Sequence, residues 1–118
     1  MANILIVDDS RIFRNILKNV LSGNGHTIIA EAANGAEALK LLETNQPDLI
    51  TLDITMPVMD GLETLKKIHS DYPAIKVIMV SAAGQKMKVM EALKSGASDF
   101  LQKPFQPDTV ISVVNKLI

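Results

Sequence analysis

Cysteine and tryptophan are absent from the 118 residues, and the other aromatic side chains amount to one Tyr and three Phe. Without cysteine there is no disulfide framework, no thiolate metal site and no thiol nucleophile, which fits a reducing compartment and makes the cytoplasm the default expectation. So few aromatic rings leave no stacking platform for nucleic-acid bases. Charge of one sign is lacking too. Twelve Lys and Arg against thirteen Asp and Glu give a formal net charge of −1, so no basic field draws a phosphate backbone and this chain alone is not expected to bind nucleic acid. Met1-Ala2-Asn3 runs straight into Ile4-Leu5-Ile6-Val7-Asp8-Asp9, lacking the basic start and apolar stretch of a signal peptide. No apolar run reaches membrane-spanning length, so no membrane insertion is expected. A glycine-rich phosphate loop is missing as well, and a nucleotide phosphate after the first apolar run would meet Asp8-Asp9 instead.

What is present suits one core. A chain of this length with 47% apolar residues falls within the usual size of one compact domain, so residues 1–118 are read as one unit. Short apolar runs without alternation recur at Ile4–Val7, Ile28–Ala30, Leu49–Leu52, Val77–Val80 and around Phe100-Leu101, as expected of strands covered on both faces. Between them, helical spacing links Phe13, Ile16, Leu17, Val20 and Leu21, then Ala38, Leu39 and Leu42, then Leu62, Leu65 and Ile68. Met90 and Leu93, then Val110, Val113, Val114 and Leu117, continue the pattern. Punctuation agrees: Ser10 reads as an N-cap, Gly23 and Gly96 as helix stops, Pro107 as an early helical residue, Asn34-Gly35 and Asp60-Gly61 as turns. The expectation is an α/β fold of five strand–helix units, with a parallel sheet between helices. The chain stops within the last helical pattern, at Ile118, which favours a stand-alone protein.

In open parallel sheets, ligands bind beyond the carboxyl ends of the strands. There this sequence is polar: the first strand is followed by Asp8-Asp9, the third by Asp53, the fourth by Ser81 and the fifth by Lys103-Pro104. Three carboxylates at one edge repel one another, and hard oxygen ligands of this kind suit Mg²⁺ or Ca²⁺; two or three carboxylates with waters suit Mg²⁺ best. Lys103 offers positive charge and Ser81 a hydroxyl donor, the groups that phosphoryl transfer needs for positioning and for neutralising oxygens. A carboxylate can be the nucleophile, and Asp53 has candidate metal and cation holders on both sides.

Asp8-Asp9, Asp53-Ile54-Thr55-Met56-Pro57 followed by Met59-Asp60-Gly61, Ser81-Ala82-Ala83 and Lys103-Pro104-Phe105 together resemble the CheY-like receiver family of two-component response regulators. The likeness covers the whole chain, with each piece after the appropriate strand. It implies a flavodoxin-like sheet in the order 2-1-3-4-5 and assigns roles. Asp53 would accept the phosphoryl group. Asp9 and Asp53 would bind Mg²⁺ directly, with Asp8 through water and the Thr55 backbone carbonyl as a further ligand. Lys103 would pair with the phosphoryl group, Ser81 would hydrogen-bond it, Phe100 would be the aromatic switch and the Lys103–Pro104 peptide would be cis. The wording Asp-Ile-Thr-Met-Pro with Ser-Ala-Ala-Gly-Gln is most similar to stand-alone chemotaxis regulators. The implied partners are a sensor histidine kinase and an output target such as a flagellar motor switch protein, for a monomeric, cytoplasmic signalling protein. A receiver module of a larger regulator, or a phosphorelay intermediate, is the alternative.

Each feature taken alone has a plainer meaning. An acidic pair after a strand usually caps a helix, Asp53 would be a solvated loop residue, and Lys103 a surface charge. Ser81 could cap the next helix, and Phe100 in a strand is by default core. His26 and His69 read as surface or partly packed residues and not as ligands, and Met56 and Met59 as cover for the site. An aspartyl-nucleophile phosphohydrolase is the enzymatic rival, but it lacks a second carboxylate two residues after Asp53, where Thr55 stands. On the fourth helix, Met90 and Leu93 are expected to pack inward, with Val89 turned to solvent as an anchor for a partner and Met87 nearby.

Overall fold

The computed structural model describes residues 1–118. Its elements alternate as β1 (Asn3–Val7), α1 (Arg11–Ser22), β2 (Thr27–Ala32), α2 (Gly35–Leu41), β3 (Leu49–Asp53), α3 (Gly61–Asp71), β4 (Lys76–Ser81), α4 (Lys86–Lys94), β5 (Asp99–Gln102) and α5 (Pro107–Leu117). The five strands are all parallel and ordered β2-β1-β3-β4-β5, as the resemblance implied. Alternate strand residues face opposite ways, and the core divides accordingly. Ile4, Ile6, Leu49, Ile78 and Leu101 pack with Leu17 and Leu21 of α1 and Val110 and Val114 of α5. Leu5, Val7, Ile50, Leu52, Val77 and Met79 pack with Ala38 of α2, Leu65 and Ile68 of α3, and Val89 and Ala92 of α4. Burial on both faces holds for β1, β3 and β4; the edge strands β2 and β5 are only partly covered.

Several local features differ from expectation. Gly23 does end α1, but with an ordinary right-handed φ of −68°. Asn34-Gly35 and Asp60-Gly61 are helix starts and not free turns. Asn34 Oδ1 accepts from the Glu37 N–H at 2.8 Å and Asp60 Oδ1 from the Glu63 N–H at 2.9 Å, satisfying amides that the first turn leaves open. The glycine after each cap permits close packing. A side chain at position 35 would strike Thr64, and one at 61 would strike the Asp53 carbonyl and Ile54, so Gly61 lets α3 begin directly against the end of β3. His26 is buried, and its Nδ1 accepts from the Ala2 N–H at 3.1 Å, whereas His69 is exposed on α3. Met56 is buried and belongs to the larger core cluster.

The phase of α4 is opposite to expectation. Val89 is buried with Ala92, while Met87 (85%), Met90 (51%) and Leu93 (40%) are exposed. The small pair Val89 and Ala92, three residues apart, lies against the sheet, so Val89 cannot be a solvent-facing anchor and the long side chains are displaced outward.

Candidate functional site

Strand register brings the polar residues together. Val7 pairs with Leu52, so Asp8 comes level with Asp53; Asp53 pairs with Val80, and Ser81 with Gln102. Backbone bonds from Ile54 N–H to the Val80 carbonyl and from Lys103 N–H to the Ser81 carbonyl carry the alignment past the strand ends. The site therefore lies over β1 and β3, where the strand order reverses direction.

One carboxylate oxygen from each of Asp8, Asp9 and Asp53 lies within 4.8 Å of the others, with Asp8 and Asp53 buried and Asp9 exposed. Lys103 Nζ sits 2.9 Å from Asp8 Oδ2 and 3.4 Å from Asp53 Oδ2. It also lies 4.2 Å from the centre of the Phe13 ring, which meets Phe105 edge-on at 5.6 Å. The aromatic pair thus holds the ammonium inward by a cation–π contact. The plainer reading of Asp8 is partly right, since its Oδ1 accepts from the Ser10 N–H at 2.8 Å in a local turn, while Ser10 itself caps α1 through the Phe13 N–H at 3.3 Å. Asp8 Oδ2, by contrast, is buried and takes no hydrogen bond, the contact with Lys103 being an ion pair only.

These surroundings act on Asp53. Burial first, then the charge of Asp8, push its carboxyl up from 3.8 to about 6, and Lys103 offsets only part of this. A divalent cation would remove the repulsion. The donor set of three carboxylates, with one buried oxygen lacking a hydrogen bond, fits a hard cation.

Ser81 is buried, and its hydroxyl donates to the Leu101 carbonyl over a long 3.5 Å. It does not cap α4, whose N-cap is Gln85. Phe100 is 42% exposed and therefore not core; its ring borders a groove with Met90 and Leu93. The Lys103–Pro104 peptide is cis. Thr55 is exposed, and its hydroxyl accepts from Gln85. Sequence reasoning missed the support: Phe13 beneath Lys103, Arg14 Nη1 donating to the Asp8 carbonyl at 2.6 Å, and Gln85. Phe13 and Arg14 carried only the signal of a helical stripe and a surface charge, because the fold alone joins positions 13 and 103.

The chain matches the response regulator receiver domain over residues 4–115. It belongs to that family. The receiver is 48% identical over 116 residues to the chemotaxis protein CheY of Listeria monocytogenes, covering 98% of each chain. It is 46% identical to CheY of Bacillus subtilis, covering 98% of this chain and 96% of that one. Among solved structures, it superposes on the receiver domain of NtrX from Brucella abortus with a TM-score of 0.92 at 33% identity, over 98% of this chain and 97% of that one. Against a longer NtrX chain from Brucella abortus the TM-score is 0.92 and the identity 34%, with 98% of this chain covered but only 26% of NtrX. The receiver is thus a signalling module of a two-component system.

Proposed function

We propose that the receiver accepts a phosphoryl group on Asp53 from a sensor histidine kinase and signals by changed partner binding, in chemotaxis. The observation that carries this is the convergence of Asp8, Asp9, Asp53 and Lys103 at one strand edge. An Asp53 carboxylate oxygen forms the new P–O bond as the donor's P–N bond breaks. The electron pair stays with the imidazole nitrogen, and the ring leaves neutral when its other nitrogen carries the proton. Lys103, preplaced by Phe13 and Asp8, neutralises phosphoryl oxygen charge, and the Ser81 hydroxyl exchanges its long bond to Leu101 for a phosphoryl oxygen. Mg²⁺, held by Asp9, Asp53 and the Thr55 carbonyl and through water by Asp8, would supply further neutralisation of those oxygens.

Movement of Ser81 opens room beside β4 for the Phe100 ring, now half outside, so two packings compete. The face that changes carries Met87, Met90 and Leu93 on α4, and these replace Val89 as contacts for an output target such as a flagellar motor switch protein. Two relatives named chemotaxis protein CheY, each matched over nearly its full length, support that output. The longer NtrX chain keeps a second reading in play: a receiver attached to other domains, or a phosphorelay intermediate. One monomeric, cytoplasmic receiver domain accounts for residues 1–118, and any catalysis concerns only its own phosphorylation and dephosphorylation.

Incubation with acetyl phosphate and Mg²⁺ followed by intact-mass spectrometry tests the acceptor. Wild type should gain one hydroxylamine-labile phosphoryl group and Asp53→Asn none. Equal labelling of both would refute the assignment.

A further inference from the structure

Gln85 is the N-cap residue of α4, yet its side chain makes no capping bond to the helix. An N-cap side chain ordinarily accepts from an amide in the first turn. Here the carboxamide turns back: Oε1 accepts from the Ala82 N–H at 2.7 Å, and Nε2 donates to Thr55 Oγ1 at 2.8 Å. It therefore ties the loop after Ser81 to the loop after Asp53. Gly84, at a φ of +85° with open space where a side chain would stand, gives the turn that returns Gln85 over Ala82.

Strand geometry says where the Ala82 N–H is aimed. Successive residues of a strand present their backbone groups to alternate neighbours. The Val80 carbonyl is bonded by Ile54 just after β3, and the Ser81 carbonyl by Lys103 just after β5. The next amide, that of Ala82, faces β3 again, beside the residues that follow Asp53. It is a donor directed at the place where a phosphoryl oxygen on Asp53 would lie, and the Gln85 carboxamide oxygen occupies it.

We propose that Gln85 is a positioning residue that latches the unphosphorylated receiver, its carboxamide standing in for a phosphoryl oxygen on the Ala82 amide until phosphorylation displaces it. This rests on the reading of Asp53 as acceptor. The exchange is favourable because an ionised oxygen takes a stronger hydrogen bond from an N–H than a neutral carboxamide does. Its cost is the loss of both Gln85 bonds, so the latch sets how readily the site takes a phosphoryl group and how firmly it keeps one. Release of Nε2 also frees Thr55 from α4, and the start of α4 gains freedom as the site fills.

The test is the affinity for beryllofluoride in the presence of Mg²⁺, measured on wild type, Gln85→Ala, Thr55→Val and the double variant. Gln85→Ala should bind about three- to tenfold more tightly, the size expected from relief of one or two modest hydrogen bonds. Thr55→Val should gain less, and in the Gln85→Ala background nothing further, because one bridge cannot be broken twice. Amide NMR supplies a signature that a merely structural role would not move. The Ala82 resonance should shift between wild type and Gln85→Ala in the free protein and coincide in their beryllofluoride complexes. Unchanged or weaker binding by Gln85→Ala, or additive effects at positions 55 and 85, would overturn the latch while leaving Asp53 as acceptor. If wild type binds no beryllofluoride at all, the acceptor reading falls and the latch with it.

Discussion

At the scale of single residues, the site is a set of opposed charges in which each group sets the state of its neighbours. Asp53 is the clearest case, for burial and Asp8 hold its carboxyl at about 6 against an ordinary 3.8. A carboxyl raised in the folded state favours folding fully only below its unfolded value. As pH rises through about 6 that contribution is lost, because the folded chain resists an ionisation that the unfolded chain accepts. Asp53→Asn cannot ionise. In EDTA at about pH 7.5 it should be more stable than wild type by about 1–2 kcal/mol, less than the full shift implies because solvent at the open strand edge screens the charge. The gap should close near pH 4. Urea melts at the two pH values measure it, and millimolar Mg²⁺ should narrow it by stabilising only the wild type. Gly61 belongs to the same scale: no larger residue fits against the Asp53 carbonyl, so the shape of the site depends on an atom that is missing.

At the scale of elements, α4 is where sequence and structure part. Val89, Met90 and Leu93 are all apolar, and spacing alone allows more than one stripe; side-chain size decides which stripe is buried. The space against β4 and α3 accepts Val89 and Ala92, and Met87, Met90 and Leu93 remain outside. Val89→Ala should therefore destabilise the receiver by about 1–3 kcal/mol through a lost contact and a residual cavity. Met90→Ala should stay within about 0.5 kcal/mol, as exposed positions do, and comparison of urea midpoints for the two variants checks this. The apolar runs of β1, β3 and β4 were legible because strands buried on both faces have no alternation to obscure them. The edges were harder to read, since β2 and β5 are only partly covered, and Phe100, whose plainer reading in a strand is core, stands half outside.

At the scale of the whole molecule, alternating strand and helix signals placed four polar segments at one edge, and the parallel register brought Asp8, Asp9, Asp53, Ser81 and Lys103 together. Their convergence was legible because each lies at or just past the carboxyl end of a strand. Its support was not: the contacts of Phe13 with Lys103 and of Gln85 with Thr55 span distances in sequence that only the finished fold closes. The topology also relates the site to the surface proposed to carry output, since Ser81 at the end of β4 itself lines the groove beside Phe100 and α4. All of this rests on one covalent event at one oxygen. The most direct measurement is reduction of the acetyl phosphate-treated receiver with borohydride, which converts an aspartyl phosphate to homoserine, followed by peptide mapping. The expected result is homoserine at position 53 alone, formed only when Mg²⁺ is present; homoserine at Asp8, Asp9 or Asp60 with position 53 intact would contradict the account.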